Sequence, residues 1–220
     1  MNDFKNILNE IKEIESLFFS YNVSSNTNIV STKSIVQNNS LALEWSKKTN
    51  ISIALKNIPY QDIYDELDKN SDYNFKLIDG SLIQLLYTFK DNKLFSHRLC
   101  FFPSPYLEAY QNDPELYECD EIYADIIKKN IVAFPIRFDF NIEEIDSDIH
   151  HPKSHGTLGQ YSNCRIPVYG PLSPKVFIKF LLKNFYSKFF DKINLTFDSS
   201  CAKFQTISCE ESNELHFNFL

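Results

Sequence analysis

Two kinds of hydrophobic periodicity occupy separate blocks of this 220-residue chain, and together they predict an α+β fold with a mainly antiparallel sheet. Apolar residues recur at helical spacing near the N-terminus and again over 174–192, whereas apolar and polar residues alternate over 82–102 and 131–140. A third observation supports the antiparallel pairing: Asp91-Asn92 sits between two alternating runs, and both residue types tolerate the positive backbone angles of a tight hairpin turn. The chain reads as a single domain over 1–220, with an N-terminal helix and polar loop region over 1–58 and an α+β core over 59–220.

The elements follow in order. Phe4, Ile7, Leu8, Ile11, Ile14, Leu17 and Phe18 keep the spacing of one helical face, with Asn2 or Asp3 available as the cap. Residues 24–39, rich in Ser, Asn and Thr, read as a long loop. Pro59 suits the first turn of a short helix that turns Tyr60, Ile63, Tyr64 and Leu67 to one side. Strands over 82–89 and 94–102 form the hairpin, and Pro103 and Pro105 end it. A helix over 121–129 precedes a strand over 131–140, in which Phe134, Ile136, Phe138 and Phe140 share one face and Arg137 and Asp139 the other. Pro135 marks an edge or an irregularity in that strand. A hairpin-like passage over 156–168 leads to the strongest helix, 174–192, and Leu215, Phe217 and Phe219 alternate as a final strand would. The helix is packed by Phe177, Ile178, Leu181, Leu182, Phe185 and Phe189, and is expected to lie on the sheet.

Composition excludes several classes. A net charge of −7 argues against a protein that coats nucleic acid through a broad basic surface, although a local basic groove is compatible with it. Lys175, Lys179 and Lys183 recur every fourth residue and, with Lys188 and Lys192, offer either such a groove or a solvated helix face. Five cysteines, at 100, 119, 164, 201 and 209, are odd in number and form no Cys-x-x-Cys pair, which suits reduced thiols in a cytoplasmic protein. No basic-then-apolar leader and no membrane-length apolar run is present, so no membrane association is expected. No glycine-rich nucleotide loop occurs, and no cofactor is implied.

The chemistry-bearing residues concentrate between Arg137 and Arg165. Three of the five histidines, His150, His151 and His155, lie there, with two of the three arginines. Because lysine outnumbers arginine nineteen to three, arginine at these positions points to a need for its planar fork, which grips phosphate or carboxylate at two points. Imidazoles that titrate near neutrality stand beside it. Three chemistries compete. A metal site would draw on His151, His155 and Asp139 or Asp148, but the flanking Gly156 and Gly159 spoil the helix that an i, i+4 histidine pair needs to bind zinc, so no metal is expected. Metal-independent phosphodiester cleavage would use one imidazole to remove a ribose 2′-proton and the other to protonate the leaving oxygen, with Arg137 and Arg165 balancing phosphoryl charge. In that reading His151, His155, Arg137 and Arg165 are catalytic, and Asp139, Ser154, Tyr161 and Arg98 contact the ligand. Arg98 rather than His97 is assigned because adjacent strand residues face opposite ways. In the third, structural reading the arginines pair with Asp139 and with Glu143 or Glu144. Trp45 and His216 read as a core and a rim residue.

The phrases His97-Arg-Leu-Cys-Phe-Phe-Pro-Ser-Pro105, Pro135-Ile-Arg-Phe-Asp139, His151-Pro-Lys-Ser-His155-Gly-Thr-Leu-Gly-Gln160, Cys164-Arg-Ile-Pro167 and Pro171-Leu-Ser-Pro174, with Asn184-Phe-Tyr186, resemble the bacterial family catalogued as domain of unknown function 2290. That resemblance implies no activity. The Arg-x-Asp then His-Pro-x-x-His layout is similar, more loosely, to ribonuclease-type toxins of toxin–antitoxin pairs, from which the chain departs at Gly156. These readings lead to an expected RNA-directed, phosphate-binding protein and metal-independent endoribonuclease of a toxin–antitoxin or phage-defence type, with a neighbour-encoded protein partner or antitoxin. The alternative is a non-catalytic partner-binding protein of a bacterial complex.

Overall fold

The structure is a computed structural model that describes residues 2–35, 40–46, 58–106, 132–144, 151–193, 197–199 and 204–219. It is α+β, as the periodicities predict. Helix α1 (Asp3–Ser20) opens the chain, capped by the Asn2 side chain, which accepts a hydrogen bond from Lys5 N–H. Strands β1 (Ser24–Thr27), β2 (Val30–Ile35) and β3 (Ser40–Trp45) follow, then α2 (Tyr60–Lys69) and β4 (Phe75–Leu77). Next come β5 (Leu82–Lys90), β6 (Lys93–Phe102), β7 (Ile136–Asn141), β8 (Ser154–Leu158) and β9 (Ile166–Pro167). Helices α3 (Pro174–Phe185) and α4 (Ser187–Lys192) follow, and a 3-10 turn (Glu211–Asn213) closes the order.

All nine strands among the described residues join one sheet. Its main path runs β1-β4-β5-β6-β7-β8-β9, and β3, with β2 outside it, pairs with the other end of β5. Every named pairing is antiparallel. The expected hairpin is present: Asp91 and Asn92 adopt φ of 52° and 61° and connect β5 to β6.

The strand pleat sorts the side chains into two layers. On one face Ile83, Leu85, Tyr87 and Phe89 of β5, Leu99 and Phe101 of β6, and Ile136, Phe138 and Phe140 of β7 are buried against α1, α3 and α4. Phe138 sits centrally, with edge-on contacts to Phe177, Phe180, Phe217 and Phe219 at ring separations of 6.0, 5.6, 5.6 and 5.6 Å. The apolar stripe of α1 is buried in this core. On the opposite face, α2 covers one end of the sheet by packing Ile63, Tyr64 and Leu67 on Leu82, Cys100 and Phe102. Next to α2, this face carries the charged residues of β6, β7 and β8.

Several expectations are corrected. Residues 24–39 were expected to be a loop, but β1 and β2 lie within that span. Their side chains are mostly exposed, so these strands have no buried apolar row to give an alternating pattern. The strand expected over 131–140 starts at Ile136, because Pro135 has no N–H to contribute to a ladder, and Phe134 lies outside it. The helix over 174–192 is two helices. Tyr186 leaves helical angles at φ −138° and ψ 50°, which places its hydroxyl 2.8 Å from Asp79 Oδ2. The final strand is reduced to one parallel bridge between Val168 and Phe217, and Leu215 is exposed. Lys175 is paired with Glu13 of α1 at 2.7 Å. Trp45 is buried, and its Nε1–H donates to Asp72. The helix expected over 121–129, His150, Asp148, Cys119 and Cys201 lie outside the described residues. Among the described residues no helix is long and apolar enough to cross a membrane.

His97 points into the core face, where its Nε2 accepts a hydrogen bond from Leu172 N–H at 3.0 Å. Burial lowers its pKa to about 4, and a proton on Nε2 would meet the Leu172 donor head-on. Since the unfolded chain takes up this proton first, the contribution to stability is complete above the ordinary histidine pKa of about 6.5 and is lost as pH falls toward 4. His97→Gln keeps an acceptor but does not titrate. Denaturant unfolding at pH 7 and pH 4.5 is expected to show the wild type losing about 2–3 kcal/mol more than the variant over that interval. Parallel losses in the two proteins would remove His97 as the cause.

Candidate functional site

The charged face is built by strand register. Arg98 on β6 stands opposite Asp139 on β7, which stands opposite His155 on β8, so one row crosses three strands. In the next row along, Cys100 faces Arg137 and Arg137 faces Thr157. These groups and Arg165, which immediately precedes β9, border a cleft of about 480 Å³, within the usual size range of small-ligand sites. All three arginines of the chain line it.

Asp139 is the hub. Its Oδ1 accepts a hydrogen bond from Arg98 Nε at 2.8 Å. Arg137 Nε lies 2.5 Å from Oδ2, but its N–H is not aimed along that line, so this contact is ionic rather than a directed hydrogen bond. Burial pushes the Asp139 carboxyl up, but Arg137 and Arg98 together outweigh it and hold the pKa below the ordinary carboxylate value. Both arginines present their Nε side to the carboxylate, and the remaining guanidinium N–H groups are donors without an acceptor role. Arg165 forms no ion pair among the described residues.

The two histidines are held in the same way. His155 Nδ1 lies 2.9 Å from the Pro152 carbonyl, which fixes the proton there, and leaves Nε2 3.8 Å from Asp139 Oδ2. His151 Nδ1 lies 3.1 Å from Glu144 Oε2. The two rings are 5.0 Å apart. Burial lowers the His155 pKa, with His151 and Arg137 adding to the effect against Pro152 and Asp139, so this imidazole is neutral at pH 7 with an Nε2 lone pair.

Among the described residues the cleft lining holds Arg98, Arg137, Lys153 and Arg165 against Asp139 and Glu144, an excess of two positive charges in a chain of net charge −7. Such a cleft favours an anion. Cys100 lies under the arginines, but burial pushes its thiol up to about 12, so it does not supply a thiolate. Among the described residues no three His, Cys, Asp or Glu side chains stand together as a metal site would require.

Six of the eight residues singled out from the sequence border the cleft: Arg98, Arg137, Asp139, His151, His155 and Arg165. Ser154 and Tyr161 do not. Ser154 occupies the core face, because it is adjacent to His155 in a strand, and its hydroxyl is bonded to Thr206 at 2.8 Å. Tyr161 lies in the turn after β8 and is 77% exposed. Lys153, Ser96 and Asn141 also line the cleft and were missed. The period of two was the available signal, since each is two residues from a recognised member of the same strand or its approach. Gly156, the departure from the toxin pattern, has a packing cause: a Cβ there would stand 3.0 Å from both Phe138 and Phe217.

The α+β scaffold and this cleft define a class before any activity is known: a single sheet with an aromatic core on one face and an arginine- and histidine-lined cleft on the other. Residues 23–219 match the family described as Uncharacterized conserved protein (DUF2290), and the chain belongs to that family. No curated protein and no solved structure matches it. The similarity to ribonuclease-type toxins therefore has no counterpart among these matches.

Asp139 and Arg165 should separate in solution. Asp139→Asn keeps the shape but leaves two guanidinium groups without their counter-ion, and unfolding measurements are expected to show a loss of about 2–3 kcal/mol, reduced from a fully buried case by the partial exposure of the site. Arg165→Ala is expected to stay within about 0.5 kcal/mol of wild type but to lose the thermal stabilisation that added inorganic phosphate confers. Equal phosphate effects in wild type and Arg165→Ala would exclude that guanidinium from the anion site.

Proposed function

We propose that the cleft binds a phosphate-bearing ligand, RNA above all, and cleaves its phosphodiester backbone without a metal. One observation carries this reading: every arginine of a lysine-rich chain converges on two imidazoles that are both anchored through Nδ1. Anchoring through Nδ1 leaves each Nε2 for proton transfer, the usual requirement for a paired acid and base.

His155 acts as the base. Its neutral Nε2 takes the proton of a ribose 2′-hydroxyl, the 2′-oxygen bonds to phosphorus, and the bond from phosphorus to the 5′-oxygen breaks. His151, from its imidazolium form with Nδ1 on Glu144, gives the Nε2 proton to the departing 5′-oxygen. The products are a 2′,3′-cyclic phosphate and a 5′-hydroxyl, so protons and bonds balance. Arg98, Arg137 and Arg165 stabilise charge on the phosphoryl oxygens, and Asp139 keeps the first two in place. A toxin–antitoxin or phage-defence setting, with a neighbour-encoded antitoxin, is the biological role that such a ribonuclease would fill.

The test is cleavage of a single-stranded RNA by purified protein. His155→Ala and His151→Ala are each expected to slow cleavage by about 10²–10⁴ while remaining folded, with wild-type activity retained in EDTA. Because the His155 pKa lies below its ordinary value, the acidic fall in rate should come below about 6.5. Activity that requires added zinc or magnesium, or variants as fast as wild type, would sink this reading.

A further inference from the structure

We infer that Phe134 and Tyr161 form a base-stacking platform for single-stranded RNA outside the cleft, beside the turn that carries Arg165, an inference that rests on the phosphate-handling reading above. Phe134 is 45% exposed and Tyr161 77%. They flank Gly159, whose φ is +68°: a Cβ placed there would lie 3.6 Å from the Tyr161 ring and 3.8 Å from Phe134 Cβ. Gly159 N–H donates to the Pro135 carbonyl at 2.8 Å, so the turn after β8 is pinned to the segment that enters β7. Among the described residues neither ring packs against another ring, and the Tyr161 hydroxyl has no hydrogen-bond partner.

Position connects this pair to the cleft. The turn between β8 and β9, residues 159–165, carries Tyr161 at one end and Arg165 at the other, and Arg165 lines the cleft. Along the paired strands the order is Asp139 with His155, then Arg137 with Thr157, then Pro135 with Gly159. At about 3.3 Å per residue Gly159, which the two aromatic residues flank, lies roughly 13 Å from the histidine row. A strand of RNA whose phosphate sits among the arginines would carry a neighbouring base past these rings.

The occupant follows from the chemistry. Cations that hold the backbone beside uncharged aromatic faces match the alternation of phosphate and base in a single strand. A duplex hides its base faces and has no use for such rings. A protein partner would be recognised by apolar shape and would not account for the adjacent excess of positive charge.

The experiment measures binding of a short, unstructured 2′-O-methyl oligoribonucleotide, which lacks the nucleophile and is not cleaved, by fluorescence anisotropy. Inorganic phosphate binding, followed by thermal shift, reports on the cleft alone. Phe134→Ala and Tyr161→Ala are each expected to weaken the oligonucleotide roughly 5- to 150-fold and to leave phosphate binding unchanged. Both are surface changes, and circular dichroism checks that the fold is kept. Unchanged oligonucleotide affinity in both variants, with Arg165→Ala weakened, would overturn the platform but leave the cleft reading intact. Equal affinity of the wild type for a duplex of the same sequence would also overturn stacking. If the substitutions alter self-association in sedimentation instead of RNA affinity, the surface is a protein contact and the platform is wrong. No RNA binding and no phosphate binding by wild type would remove both proposals together.

Discussion

The pleat of β7 is the constraint on which the architecture depends. Ile136, Phe138 and Phe140 face the aromatic core, and Arg137 and Asp139 face the cleft. A register slip of one residue would exchange these faces, pushing a guanidinium and a carboxylate into the layer of phenylalanines. Burying an unpaired charge costs far more than any single aromatic contact contributes, so the register has one answer. β6 and β8 are then placed by pairing with β7, and their own alternation brings Arg98 and His155 to the ionic side and His97 and Ser154 to the core side.

On the ionic side the problem is repulsion. Arg98 and Arg137 lie on neighbouring strands, and Asp139 between them converts a repulsive pair into a bridged one. The carboxylate neutralises only part of the positive charge, and Arg165 adds more. The surplus helps keep His155 neutral, since Arg137 and His151 both oppose its protonation. A neutral imidazole beside cations can accept a proton, and the cations can hold the anion that donates it. The same residues therefore supply the scaffold of the cleft and the reactivity proposed for it.

Legibility tracked burial. Elements with one apolar face, such as α1, α2 and the β5–β6 hairpin, announce themselves, because their period is set by which side chains leave water. β1 and β2 were read as loop because their side chains stay largely exposed and their pairing rests on backbone hydrogen bonds, which any sequence can make. The break at Tyr186 was invisible for a different reason: its hydroxyl answers to Asp79, 107 residues away, while Phe185 and Phe189 continue the helical period through the break.

For the site, the chain by itself determined the kinds of residue and the faces they could take. Scarce arginine, clustered histidine and the alternation of β7 pointed to Arg137, Asp139, His151 and His155 as groups for handling an anion, and those are local properties that spacing can carry. Only the tertiary structure decided membership. Arg98 and Arg165 join because strand pairing carries them across the sheet, whereas Ser154 is turned to the core by its place next to His155, and Tyr161 is carried out on a turn. Which side chains share a cleft depends on register between strands distant in sequence, and register is settled by the packing of the opposite face, which no single segment contains.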